Sequence, residues 1–504
     1  MPISFERIPS GGSLLVPLFY AEIGSGGTPY TQNKRLLLIG HKTETANAAA
    51  SANIGTAPKD EPQFLDETNA SGLFGARSML RQMADAARSV FPTGEIYGMA
   101  IDAPTGVAAT GKIAVNAITL GTQGTLYFYI DGIRLSVGVG ATDTNITVAA
   151  KMVDEINGNV DLSVVASVNA TNANEVDLTA HHVGLQGNDI HVELDYVGDE
   201  GPLSSALLTV TAMSGGTGTP DMTDGFAGMG SEEFDTIVCY ANDTAALGEV
   251  EDELGDISGR WSPTQQLYGH YITAKKDTVA NLVAFANPRN DPNVTIVGLT
   301  GTPTPPWIVA TEVGAWVAFT TQGTPDISRP LQTLPLIRTK PPKTNLDRHS
   351  IAERNSMYAA GVSGLHTRRD GTVAIDRLVT TQKLNEWSTP DTTFRDLVTR
   401  YQMVHFVRSL RTRVETEHGR KALARQNPGN NSGVATPDDI RNTLEHEYRR
   451  LELQALVEDT DWFSANLTVE INANDPTRID VLAPVDVVNQ LRIVAIRAVT
   501  FLQA

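Results

Sequence analysis

The segment Gly106–Ile113, GVAATGKI, has the spacing of a phosphate-binding loop as far as Lys112. In such a loop backbone N–H groups cradle the phosphates, the lysine reaches the outer ones, and a Ser or Thr hydroxyl holds magnesium. Ile113 stands where that hydroxyl belongs, and a β-rich run follows where a helix N-terminus should face phosphate. Nucleotide binding is therefore not expected. His181 and His182 are adjacent; on a strand they would point to opposite faces, so a hydrogen-bonded or exposed pair is expected rather than a shared metal. His418 and His446 sit among Glu and Arg, as on solvated helix faces. The single cysteine, Cys239, lies in the apolar run DTIVCY and reads as a buried core thiol, which excludes an internal disulfide framework and fits a reducing compartment. The sequence contains no HExxH and no GxSxG, and GSGGT, SGGTGT and GLTGT lack the strand and helix that flank a dinucleotide loop. No catalytic, cofactor-binding or metal-ligating residue is expected, and no cofactor.

The chain as a whole has 504 residues, enough for two to four domains of about 100 to 200 residues each. With 41% hydrophobic and 19% charged residues it has the composition of a globular protein. The net charge of −19 argues against nucleic acid as a partner. From Pro341 onward there are 21 basic and 21 acidic residues, so the whole acidic excess lies in the first 340. No run of eighteen apolar residues occurs and the N-terminus lacks a secretory pattern, so neither membrane insertion nor export is expected.

A central α/β domain is expected over 21–104 and 222–345, with a mostly parallel sheet. Its strands are predicted at Arg35–Ile39, Glu95–Ile101, Phe234–Tyr240, Tyr268–Thr273 and Val294–Leu299. Between them lie one amphipathic helix across SGLFGARSMLRQMADAARSVF and further helices over TAALGEVEDELGDI, VANLVAFA and PWIVATEVGAWVAF. Residues 105–221 read as an inserted β-rich outer domain, with a tight hairpin at Asp131-Gly132 and a helix over NITVAAKMVDEIN. An α+β C-terminal domain is expected over 346–485. It contains a helix with Met403, Val407, Leu410 and Val414 on its apolar face, and a second one started by Thr436 and Pro437. FSANLTVEI is predicted as a strand. Residues 1–20, with Ile3, Phe5, Leu14, Val16 and Phe19, read as an extended arm. The last segment, 486–504, is predicted as a strand apolar on both faces through Leu491, Ile493, Val494, Ile496, Val499 and Phe501, which requires burial on both sides.

Several blocks, SFERIPS with VPLFYAEI, LFGARSMLRQMADAARSVFPTGEIYGMAI, DISRPLQTLPL, ERNSMYAAGVSGLHTRRDGTVAIDRLVTTQ and ATPDDIRNTLEHEYRRLELQALVED, occur in an order that resembles the contractile tail sheath family of myophages, closest to its Mu-like branch. The resemblance implies a non-catalytic, subtilisin-like central domain and a virion component assembled in the host cytoplasm. It implies a helical homo-polymer of hexameric rings around a tail tube protein, with baseplate and tail terminator proteins as further partners. Both terminal arms would donate strands to neighbouring copies, and contraction by rigid-body rearrangement would drive the tube through the host envelope during genome delivery. Arg408, Arg411 and Arg413 become candidate tube contacts, against the alternative of a solvated or intramolecular face. The sheath of a phage-derived bacteriocin, an α/β hydrolase or nucleotide-binding enzyme, and a surface-binding protein are the competing readings.

Overall fold

Eight strands form the largest sheet, and six of them run parallel because helices and longer segments return the chain to the same end each time. The computed structural model describes residues 34–44, 54–198, 200, 203–324 and 326–500, all in one compact unit. The expected arm over residues 1–20, with Ile3, Phe5, Leu14, Val16 and Phe19, lies outside the described residues, as does Phe501.

Across the sheet, Val362–Thr367, Val294–Leu299, His270–Lys276, Thr236–Cys239, Arg35–Gly40 and Glu95–Ala100 pair in parallel. Val373–Arg377 closes one edge and Gln63–Leu65 the other, both antiparallel. The sheet thus continues through Arg377, across the boundary expected at 345/346. All six residues of Val294–Leu299 are buried, as a strand covered on both faces requires.

Helices Met79–Val90 and Pro306–Thr320 lie together on the sheet, joined where Trp307 Nε1 donates to Gln82 Oε1 at 3.1 Å. A Cβ at Gly314 would lie 2.2 Å from Val238 Cγ2, so only glycine allows this approach of helix to sheet. The helix expected across SGLFGARSMLRQMADAARSVF is two helices, Ala70–Phe74 and Met79–Val90. Gly75 turns the chain at φ 94°, and Ser78 caps the second helix by accepting from Arg81 N.

The segment between Glu95–Ala100 and Thr236–Cys239 builds two sheets of its own, one of four strands and one of three, with helix Asn145–Gly158 packed against both. Asp131 and Gly132 turn its hairpin with φ of 55° and 75°, the two positive angles of the tight turn. Lys112 lies within the strand Thr110–Val115, where a phosphate loop would pass into a helix, and its Nζ meets Glu175 at 3.1 Å.

Candidate subunit interface

The helix Leu397–His418 fixes the C-terminal part of the chain to the sheet. Of the predicted stripe, Leu410 and Val414 pack half-buried against the core, Met403 is half-buried and Val407 is 38% exposed, while the most deeply buried face carries Tyr401, Gln402, Val404, His405, Arg408 and Ser409. Tyr401, Gln402 and Arg408 tolerate burial because residues distant in sequence supply partners. Tyr401 Oη meets Thr236 Oγ1 at 2.7 Å, and Gln402 Nε2 donates to Val488 O at 3.0 Å. Asp235 accepts at Oδ1 from Lys34 Nζ at 2.9 Å and from Arg408 Nη1 at 2.6 Å, and at Oδ2 from Arg35 N at 3.0 Å. Arg408 Nη2 also pairs with Glu233. Burial works to raise the Asp235 carboxyl, but the two cations outweigh it and hold the group below its ordinary value.

Arg408 is 6% exposed and committed to this network, which places it against the chain's own sheet, the intramolecular alternative to a tube contact. Arg411 and Arg413 differ. Their side chains are 55% and 44% exposed, paired with Glu415 and Glu417 one turn along.

The second long helix, Pro437–Leu453, carries the capping box of Thr436 and Asp439. Against it packs an antiparallel hairpin, Thr468–Ile471 with Ile479–Leu482. FSANLTVEI is therefore split: Thr460–Asn466 is helical, capped by Asp459 accepting from Trp462 N, and the strand starts at Thr468. Among the described residues the hairpin forms a sheet of two strands, with Val481 43% and Leu482 68% exposed. Two-stranded sheets are marginal, and neither edge of this one has a further strand beside it among the described residues.

The chain then crosses back over the body. Glu458 N donates to Asp486 O at 2.8 Å and Val488 N to Leu456 O at 3.0 Å. Gln332 Nε2 reaches Leu491 O at 3.3 Å. Arg492 pairs with Asp396, whose two oxygens also accept from Arg377 Nε and Nη2, each at 3.0 Å. The predicted strand pairs with no other strand among the described residues, and its apolar side chains stand open: Leu491, Ile493, Val494, Ile496 and Val499 are 69%, 84%, 68%, 84% and 59% exposed. The burial expected for them is not met among the described residues.

Cys239 is fully buried, and burial pushes its thiol up to about 11. His181 and His182 do not diverge: their rings pack edge-on with centroids 4.9 Å apart, because the strand ends at Ala180 and alternation stops there. His181 Nε2 meets Thr43 Oγ1 at 3.2 Å and His182 Nε2 accepts from Met79 N at 3.1 Å. His418, expected on a solvated face, has a side chain 7% exposed and bridges the two long helices through Thr443 Oγ1 at 2.9 Å. His446 is exposed. Among the described residues no group of three or more His, Cys, Asp or Glu side chains is placed to hold a metal, and no helix is long and apolar enough to cross a membrane.

Residues 215–381 match the family model described as phage tail sheath protein central domain, and residues 389–501 the phage tail sheath C-terminal domain. A Mu-like prophage FluMu tail sheath protein of Haemophilus influenzae is 30% identical over 98% of this chain and 99% of its own length. Among solved structures, a sheath tail protein of Desulfitobacterium hafniense aligns with a TM-score of 0.50 at 11% identity, covering 94% of this chain and 97% of that one. One from Listeria innocua aligns with a TM-score of 0.48 at 13% identity, covering 92% and 93%.

Proposed function

Because the chain belongs to the phage tail sheath family, whose members are structural proteins and not enzymes, we propose that it is the sheath subunit of a contractile phage tail. It polymerises as stacked hexameric rings around a tail tube, between a baseplate and a terminator, within the virion. The six parallel strands then serve as a non-catalytic, subtilisin-like scaffold, and the inserted sheets face outward.

The observation that carries this reading is the pairing of two features that are incomplete among the described residues: an exposed apolar segment, Leu491–Val499, with no strand beside it, and a two-stranded hairpin with both edges open. A strand donated from one copy to the hairpin of the next completes both. Extended backbone forms about six ladder bonds of roughly 0.5–1.5 kcal/mol net each, so one donated strand contributes several kcal/mol before the entropy of ordering it. Cohesion then comes from each copy donating and receiving at once. Copies tethered in this way rotate and slide as rigid bodies, and contraction draws on the packing difference between two lattices, without nucleotide. Arg411 and Arg413 remain the basic residues of this helix available to a tube.

Electron microscopy of the purified full chain tests the reading. Striated hollow cylinders are the expected product; discrete particles at every concentration and ionic strength would refute it.

A further inference from the structure

We propose, on the sheath reading above, that the loop 419–436 between the two long C-terminal helices docks onto the acidic end of the helix Thr244–Glu253 of a second copy of this chain. From Gly419 to Thr436 the chain has three basic residues, Arg420, Lys421 and Arg425, and no acidic one. All three are exposed and none forms an ion pair among the described residues, whereas Arg411 and Arg413 on the preceding helix each have a glutamate one turn along. Asp439 is held below its ordinary value first by its bonds from Thr436, and Lys421 adds only a smaller contribution. The cations stand on a fixed frame. Ala422–Leu423 pairs with Val434–Ala435, Asn427 and Asn431 exchange bonds of 2.8 and 2.9 Å, and Gly433 N donates to Asn431 Oδ1 at 2.9 Å. A loop ordered before contact loses less entropy on docking.

The complementary surface lies on the same chain. Residues 249–256 carry five carboxylates in eight positions. Glu249 accepts from Met222 N, and Glu253 lies 3.8 Å from Arg260. Glu251, Asp252 and Asp256 are exposed, and their side chains have no hydrogen bond or ion pair among the described residues; Arg289 and Arg400 act on Glu251 and Asp256 from beyond ion-pair distance. Ile257 beside them is 90% exposed, an apolar side chain that the contact covers.

One copy is held from making this contact with itself. Asn293 ties the acidic end to the start of the helix Leu397–His418: its Nδ2 donates to Leu254 O at 3.0 Å and its Oδ1 accepts from Arg400 Nη2 at 2.7 Å. The cationic loop leaves the opposite end of that 22-residue helix, about 33 Å away at 1.5 Å per residue. A rod thus separates opposite charges on one chain, and two copies set head to tail bring them together. A contact between two different patches repeats from copy to copy and builds rings or helical filaments. Nucleic acid is disfavoured as the loop's partner by the net charge of −19.

The test is sedimentation of the full chain and of two variants, Lys421→Glu with Arg425→Glu and Asp252→Lys with Asp256→Lys, with melting temperatures to show that each folds. Where a reversal lowers the melting temperature, the neutral Gln or Asn replacement takes its place for the single-variant comparison. Each variant alone should need at least about tenfold more protein to polymerise than the wild type, because like charges then face each other. An equimolar mixture of the two reversals should return to the wild-type threshold, since each variant's loop meets an opposite charge on the other. Polymerisation of either variant at the wild-type threshold, or a mixture no better than its parts, would overturn the proposal while leaving the sheath reading intact. A wild type that never polymerises would refute that reading and this contact with it.

Discussion

Arg408 donates to Asp235 at 2.6 Å across the join between the long C-terminal helix and the amino end of a central strand, in a site closed to solvent on both sides. Lys34 shares the same carboxylate oxygen. Asp235→Ala removes one negative charge from between two buried cations. Breaking a buried pair in this way costs about 3–5 kcal/mol. Chemical denaturation of the variant should show a lowered midpoint, whereas a loss under about 0.5 kcal/mol would mean that water reaches the site.

Glu312 is fully buried in an otherwise apolar helix, and its carboxylate accepts from the N–H groups of Ile337, Arg338 and Thr339 at 2.6, 2.7 and 2.9 Å. Glu312→Leu keeps the helix and releases that segment. A loss of about 3 kcal/mol is expected from charge-assisted bonds of this kind, with faster amide exchange confined to residues 335–342.

Acid should loosen the seam between the insertion and the central sheet. His41, His181 and His182 pack there with ring centroids 4.9 and 5.3 Å apart, beside Tyr240, with Lys59 and Arg77 close enough to disfavour protonation. Burial lowers His41 and His181 to about 4 and His182 well below its ordinary value. Between about 6.5 and 4 the unfolded chain binds protons that the folded one refuses, so stability falls as pH falls, by up to about 1.4 kcal/mol per pH unit per histidine. Asp131, raised by burial to about 6, contributes in the opposite sense, its destabilisation growing as pH rises from its ordinary value to about 6. His181→Asn should therefore flatten the acid limb in a denaturation series at several pH values, and an unchanged slope would count against the seam.

Asp396 ties the edge strand to the root of the C-terminal segment through Arg377 and Arg492. Asp396→Asn should cost only about 1 kcal/mol of stability, since the pair is partly exposed. Its effect on assembly should be larger, with less polymer sedimenting because the outgoing strand is no longer aimed.

The parallel sheet was legible because its strands are continuous apolar runs and its helices carry strong periodicity: Val279–Ala286 and Val294–Leu299 fall where the pattern puts them. The break at Gly75 was hidden by periodicity continuing through it. The helix Leu397–His418 misled more deeply. Its apolar stripe reaches the core only in part, through Leu410 and Val414, and the helix also buries Gln402 and Arg408 because their partners, such as Ser328 and Asp235, come from elements far away in sequence. No local pattern encodes such a match. The open hairpin was half visible: Thr468–Ile471 lies inside the predicted strand, but its partner, Ile479–Leu482, is a polar-flanked run whose role depends on pairing.

Strand donation from Leu491–Val499 to the hairpin of another copy is the claim on which the functional reading rests, and cysteine cross-linking tests it directly. In a Cys239→Ser background, copies carrying Val481→Cys are mixed with copies carrying one cysteine at each position from 491 to 499, then oxidised. A disulfide requires Cα atoms about 4.4–6.8 Å apart. The account predicts mixed dimers at one or two alternate positions of the scan. Efficient bonding only when both cysteines sit in the same chain, with no mixed dimer at any position, would contradict it.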